Sequence, residues 1–166
     1  GCGAAAGRMR GRGRAPGSIL DTGDLKVAAN PLPADSAALE ALQAAIGTRP
    51  VWLAASTHPG DENAVIAAHR SASLAHPDLL LILVPRHPQR GADLAAQIAA
   101  AGFSIARRGT GALPDPETQV YLADTLGEMG LFYRLAPLAF LGGSFGPEGG
   151  HNPYEPEALG AAVLHG

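Results

Sequence analysis

Apolar runs of strand length alternate with stretches of helical period along most of this chain, and no other feature narrows its fold as far. Residues 51–55 and 79–84 are continuous apolar runs; 103–106, 119–122 and 138–141 are further short strand candidates. Helical periodicity falls at 62–74, 91–101 and 129–135, and again at 153–159 ahead of an apolar 162–164. Strands apolar on both faces, separated by helices, predict a parallel sheet covered on both sides. The expected fold is therefore α/β: a Rossmann-like parallel sheet of five or six strands with helices on both faces. Upstream, Asp35 or Ser36 is placed to cap a helix reaching Ile46, with Gly47 as its stop. Residues 1–18 lack apolar periodicity and read as a disordered leader. Residues 19–34 read as a linker region, where Pro31 and Pro33 resist both helix and central strand. The domain itself is expected over 35–166.

Charge and cysteine usage remove several functions. Twelve basic against 15 acidic residues give a net charge of -3, without the basic excess of a nucleic-acid binder. The basic cluster Arg8, Arg10, Arg12 and Arg14 lies in the leader, spaced by small residues. A single cysteine, Cys2, excludes an internal disulfide and a cysteine-built zinc site. No apolar run approaches the roughly 18 residues of a membrane span, so the chain reads as soluble.

Ligands of an open parallel sheet bind beyond the carboxyl ends of its strands. Four polar or glycine-rich segments fall there. Ser56-Thr57-His58-Pro59-Gly60 follows the first strand, and Pro85-Arg86-His87-Pro88 the second. Asp124-Thr125-Leu126-Gly127-Glu128-Met129 follows the run ending at Leu122; Gly142-Gly143-Ser144, then Gly149-Gly150-His151-Asn152-Pro153, follow the run ending at Leu141. Glycines there let a backbone approach a ligand, and the helix start at Asn152-Pro153 favours an anion. Arg86, between two prolines, suits a phosphate or carboxylate. Glu155 can accept from a ribose diol or complement its helix dipole, and Glu128 has the same two readings. Neither the P-loop nor the dinucleotide glycine fingerprint is present, and Gly143-Ser144-Phe145-Gly146 lacks the spacing of a nucleophile elbow. His58, His87 and His151 share the rim but form no helical metal motif, and no metal is expected; His69 and His76 are expected at the surface.

Taken together, these blocks resemble the nucleotide-binding half of the 3-deoxy-D-manno-octulosonic acid (Kdo) transferases. The residues that carry the likeness run from Ala54-Ala55-Ser56-Thr57-His58-Pro59-Gly60-Asp61-Glu62 through Leu83-Val84-Pro85-Arg86-His87-Pro88 and Asp124 to Met129. They end in Gly142-Gly143-Ser144 and Gly149-Gly150-His151-Asn152-Pro153-Tyr154-Glu155-Pro156. The resemblance covers about residues 22–166. It implies one half of a GT-B glycosyltransferase, two Rossmann-like domains facing across a cleft. It also implies transfer of Kdo from CMP-Kdo to a lipid A precursor, with inversion, at the cytoplasmic face of the bacterial inner membrane, releasing CMP and needing no cofactor or bound metal. The family's CMP contacts map onto Pro85 and Arg86, onto Leu126, Gly127, Glu128 and Met129, and onto Asn152, Pro153, Tyr154 and Glu155. Ser56, Thr57, Gly143 and Ser144 complete the candidate set. The family's general base, acceptor surface and membrane contact lie in the amino-terminal domain, so no catalytic residue is expected in this chain, which is expected to be cut short at its carboxyl end and inactive alone. Nucleic acid is not an expected partner. The residues by themselves leave open a GT-B half that takes a UDP-sugar, or a piece with no measurable ligand.

Overall fold

The computed structural model describes residues 32–143 and 154–165. In chain order the elements are α1 (Ser36–Ile46), β1 (Val51–Thr57), α2 (Pro59–Ala75), β2 (Leu80–Pro85), α3 (Gly91–Ala100), β3 (Ile105–Arg107), β4 (Val120–Leu122), α4 (Met129–Leu135), β5 (Leu138–Leu141), α5 (Tyr154–Glu157) and β6 (Ala162–Leu164). Short 3₁₀ turns occupy Pro88–Arg90 and Arg108–Thr110. The six strands form one sheet in the order β3-β4-β2-β1-β5-β6, every pairing parallel. The expected parallel α/β domain is the observed one. The run at 162–164, read only as the sequel to a helix, pairs with β5 as an edge strand.

Why β1 and β2 carry no polar alternation is visible in the packing. On one face Leu53, Ile82 and Leu141 meet Leu42 of α1 and Leu131 and Phe132 of α4. On the other, Ala54, Leu81 and Leu83 meet Val65 and Ile66 of α2 and Leu94 and Ile98 of α3. A strand between two helical layers must be apolar on both faces. α1 begins as its sequence requires: the Asp35 side chain accepts from the Ala38 N–H at 2.8 Å, and Gly47 stops the helix at φ 64°. The end of the expected linker is fastened to α4. Arg134 donates to the Leu32 carbonyl at 2.7 Å, and a β-carbon on Gly130 would lie 2.3 Å from the Pro33 carbonyl. The rest of that linker and the leader lie outside the described residues. Among the described residues no helix is long and apolar enough to cross a membrane.

The amino-end rim of the sheet is closed by one guanidinium. Arg49 donates to the carbonyls of Asp78, Asp115 and Thr118, at 3.1, 3.0 and 2.6 Å, tying together the segments that lead into β1, β2 and β4.

His69 corrects an expectation. Read as a surface residue, it is fully buried in α2, while His76 beyond the helix is exposed as expected. The Trp52 indole can only donate, so at 3.1 Å it fixes His69 Nδ1 as acceptor and leaves the proton on Nε2. That proton points to the Gln119 carbonyl, also at 3.1 Å. The helical period at 62–74 was visible, but the partners that make a buried imidazole acceptable lie on β1 and before β4, remote in sequence. Burial pushes the His69 pKa below its ordinary 6.5, against the opposing effect of the Gln119 bond. The unfolded chain therefore binds a proton that the folded one refuses. This contribution to stability is complete above pH 6.5 and is lost as pH falls from there toward the lowered folded value. Denaturant unfolding followed by circular dichroism should show the domain weakening between about pH 7 and 5. His69→Phe should flatten that dependence while lowering stability by roughly 1–3 kcal/mol, because two buried polar partners are orphaned.

Candidate functional site

The strands fan out from β1: its neighbours β2 and β5 are reached by connections running in opposite directions, which creates a crevice at the carboxyl ends. β1 ends abruptly there. Its register slips between Ala55 and Thr57, and Ser56 adopts φ 55°, alone among the described non-glycine residues in having positive φ. A bulge with a left-handed residue re-aims the chain at a cost in backbone energy, a feature that gathers at ligand sites. The two neighbouring strand ends are hydrogen-bonded to it. The Gly142 N–H donates to the Ala55 carbonyl at 2.8 Å, and the Arg86 N–H to the Thr57 carbonyl at 2.9 Å. Gly142 has no room for a side chain: a β-carbon would stand 2.5 Å from the Ser56 oxygen and 2.7 Å from the Thr57 α-carbon.

Four strand-end segments meet in a cleft of about 220 Å³. Ser56 comes from β1, Pro85 and Arg86 from β2, Leu126, Gly127, Glu128 and Met129 from the loop after β4, and Glu155 from α5. Eight of the residues picked from sequence thus share one cavity. Tyr154 opens α5 and is half-buried beside them in sequence. Thr57 lies beneath the rim, fully buried, its hydroxyl without a hydrogen-bond partner among the described residues. Ser144, Asn152 and Pro153, with His151, lie outside the described residues.

Charges at this rim divide into two groups. Arg90 forms a bidentate pair with Glu62, at 2.7 and 2.9 Å, and Glu62 is wholly buried in the first turn of α2. Arg107 pairs with the buried Asp124, which also accepts from the Gly109 N–H at 2.8 Å. Arg108 grips both carboxylate oxygens of Glu128, at 2.6 and 3.2 Å, and Thr125 donates to the same carboxylate at 2.5 Å. The Arg108 hydrogen bond, reinforced by Thr125, holds the Glu128 carboxyl below its ordinary range, and the same bond raises Arg108. Every ion pair among the described residues is one of these three. Arg86 belongs to none; it is exposed at the cleft, and no carboxylate among the described residues forms an ion pair with its guanidinium. Glu155, also exposed and outside these pairs, faces the same space.

Two of the expected ligand groups are already engaged. Glu128, read as an acceptor for a ribose or a helix-dipole partner, is committed to Arg108 and Thr125. The Gly143 N–H donates to Asp61 Oδ2 at 2.8 Å, so its proton is spent within the protein. Asp61 was not picked out from sequence as a site residue. Its signal was present as Pro59 at the first helical position and an acid at the third, the pattern of a helix start. Arg108 gave no such signal, since its partner lies 20 residues away. His58 and His87 stand edge to face with ring centroids 6.0 Å apart. Among the described residues no three metal-ligating side chains gather.

No family model matches the chain. Curated relatives do. A 3-deoxy-D-manno-octulosonic acid transferase of Haemophilus influenzae is 45% identical over 118 residues, 71% of this chain and 28% of that protein. A probable mitochondrial 3-deoxy-D-manno-octulosonic acid transferase of Arabidopsis thaliana is 37% identical over 158 residues, 92% of this chain and 35% of its own. The chain thus spans about a third of the length of the relatives it matches. Among solved structures, the C-terminal CMP-Kdo binding domain of WaaA from Acinetobacter baumannii superposes with a TM-score of 0.71 at 34% identity. That match covers 76% of this chain and 67% of the other.

The contact at Gly142 can be tested directly. Gly142→Ala forces β1 and β5 apart at their carboxyl ends and should lower stability by about 1–3 kcal/mol in denaturant titrations. Gly60→Ala, with open space around its added carbon, should show no comparable loss.

Proposed function

The chain belongs to the Kdo transferase family, and from that membership we propose that it is the donor-binding domain of such an enzyme, holding CMP-Kdo in the cleft at the carboxyl rim. One observation carries the proposal: three rim arginines are cancelled by carboxylates, and the fourth, Arg86, faces the cleft with no ion pair among the described residues. A guanidinium in that state is a ready partner for the phosphate of CMP-Kdo. Glu155, the free carboxylate of the cleft, then accepts from the ribose hydroxyls. Leu126, Gly127 and Met129 line the remaining wall with apolar and backbone surface.

The chemistry asked of this domain is leaving-group stabilisation. An acceptor hydroxyl attacks the anomeric carbon of Kdo, the bond from that carbon to the phosphate oxygen breaks, and CMP departs with more negative charge than it carried in the donor. Arg86 offsets that charge from a backbone position fixed to β1. On this reading the acceptor is a lipid A precursor at the cytoplasmic face of the inner membrane, and its binding surface and the base that takes its proton are supplied from outside this chain, which spans about a third of its relatives' length. Transfer by the chain alone should be undetectable, since lost proximity is worth roughly 7–11 kcal/mol and a missing base a further 10²–10⁴-fold.

Backbone NMR titration of the chain with CMP and, separately, UMP tests the proposal. CMP should move the amides of Ser56, Arg86 and Gly127 with a dissociation constant on the order of 0.1–10 mM, weak because half a cleft neither excludes water nor supplies the facing contacts. Arg86→Ala should weaken binding about 10–100-fold, the worth of a hydrogen bond to a charged group. Preference for UMP, or an unchanged constant in Arg86→Ala, would remove the assignment.

A further inference from the structure

We propose that Asp61 is a positioning residue for this cleft: its buried carboxylate fixes where the glycine-rich segment leaves the sheet. Asp61 is 2% exposed, near the start of α2. One oxygen, Oδ2, accepts from two backbone N–H groups at 2.8 Å each: His58, which precedes α2, and Gly143, which follows β5. These two residues are 85 apart in sequence and stand on either side of the β1–β5 crevice. The carboxylate is thus a side-chain fastening between the two chain segments that form that crevice, beyond the Gly142–Ala55 backbone bond. Gly143 needs such a fastening because its φ is 74°, a conformation glycine reaches easily but does not hold by itself. Directly before it, Gly142 is seated against Ser56 and Thr57 without a hydrogen-bonding side chain of its own. The charge matters as well as the shape. A carboxylate accepts two amide protons strongly, and its full burial leaves it no water to compete. By consuming the Gly143 proton, Asp61 also settles that ligand-facing donors must come from elsewhere on the rim, Arg86 foremost.

The effect on ligand affinity rests on the proposed donor role, whereas the fastening itself does not. The test separates the two. In the ligand-free chain, Asp61→Ala should move the Gly143 and His58 amide protons upfield and speed their hydrogen exchange. Asp61→Asn, which keeps an acceptor oxygen, should restore most of both. In CMP titrations Asp61→Ala should raise the dissociation constant about tenfold, as for one lost charge-assisted hydrogen bond, with Asp61→Asn falling between it and the parent chain. His69→Phe, which perturbs the same helix about two turns further along, should leave the constant unchanged and so controls for general loosening. Gly143 resonances unmoved in Asp61→Ala overturn the fastening. Moved resonances with an unchanged CMP constant overturn its role in binding. If the parent chain gives no CMP response, the donor assignment fails, and the Gly143 amide in the ligand-free variants still decides the fastening.

Discussion

The carboxyl rim depends on how β1 ends. A central strand of a parallel sheet has both edges paired and both faces covered, so it can leave the sheet only where its neighbours let it. Here the release is a bulge at Ser56 in left-handed conformation, followed at once by Pro59 in the first turn of α2. β2 and β5 are held at that bulge by backbone bonds from Arg86 and Gly142. A conformation that most residues avoid is kept because three strands close over it. Shifting β1 by one residue would exchange its two packed faces and dismantle the cleft together with the core.

The two ends of the sheet are finished by different chemistry. At the amino end Arg49 satisfies three carbonyls, a neutral set of acceptors that occupies its donors and leaves its charge in place. At the carboxyl end arginines meet carboxylates, and the pairs position loops: Glu62 with Arg90 ties α2 to the turn after β2, and Glu128 with Arg108 ties the turn after β4 to the end of β3. Glu128 and Arg108 are both partly exposed and add little to stability by themselves, whereas the buried Glu62 requires its partner. The value of both pairs here lies in geometry, because each holds a strand-end loop whose neighbours line the cleft.

Sequence alone revealed the periodic and the local. The apolar runs of β1, β2 and β5 and the cap at Asp35 could be read because their causes lie within a few residues. The rim assignment of Ser56, Arg86, Gly127 and Gly142 followed from strand order, and the relatives' motifs narrowed the ligand. What stayed hidden depends on partners distant in sequence. His69 is buried because Trp52 and Gln119 receive it, and no window along α2 contains either. Glu128 and Gly143 were both placed at the carboxyl rim, yet which of their atoms are engaged is decided by Arg108 and Asp61. Burial of a polar group is a property of its surroundings, and hydrophobic period does not report it.

α2 runs the depth of the sheet. Its 17 residues make a rod of roughly 25 Å, with Asp61 at the cleft and His69 about 12 Å further along its axis. Trp52 is the only tryptophan in the chain, and its indole is bonded to that imidazole. The single indole therefore reads the packing of α2 on β1, and its emission reports the burial of His69 rather than events at the cleft.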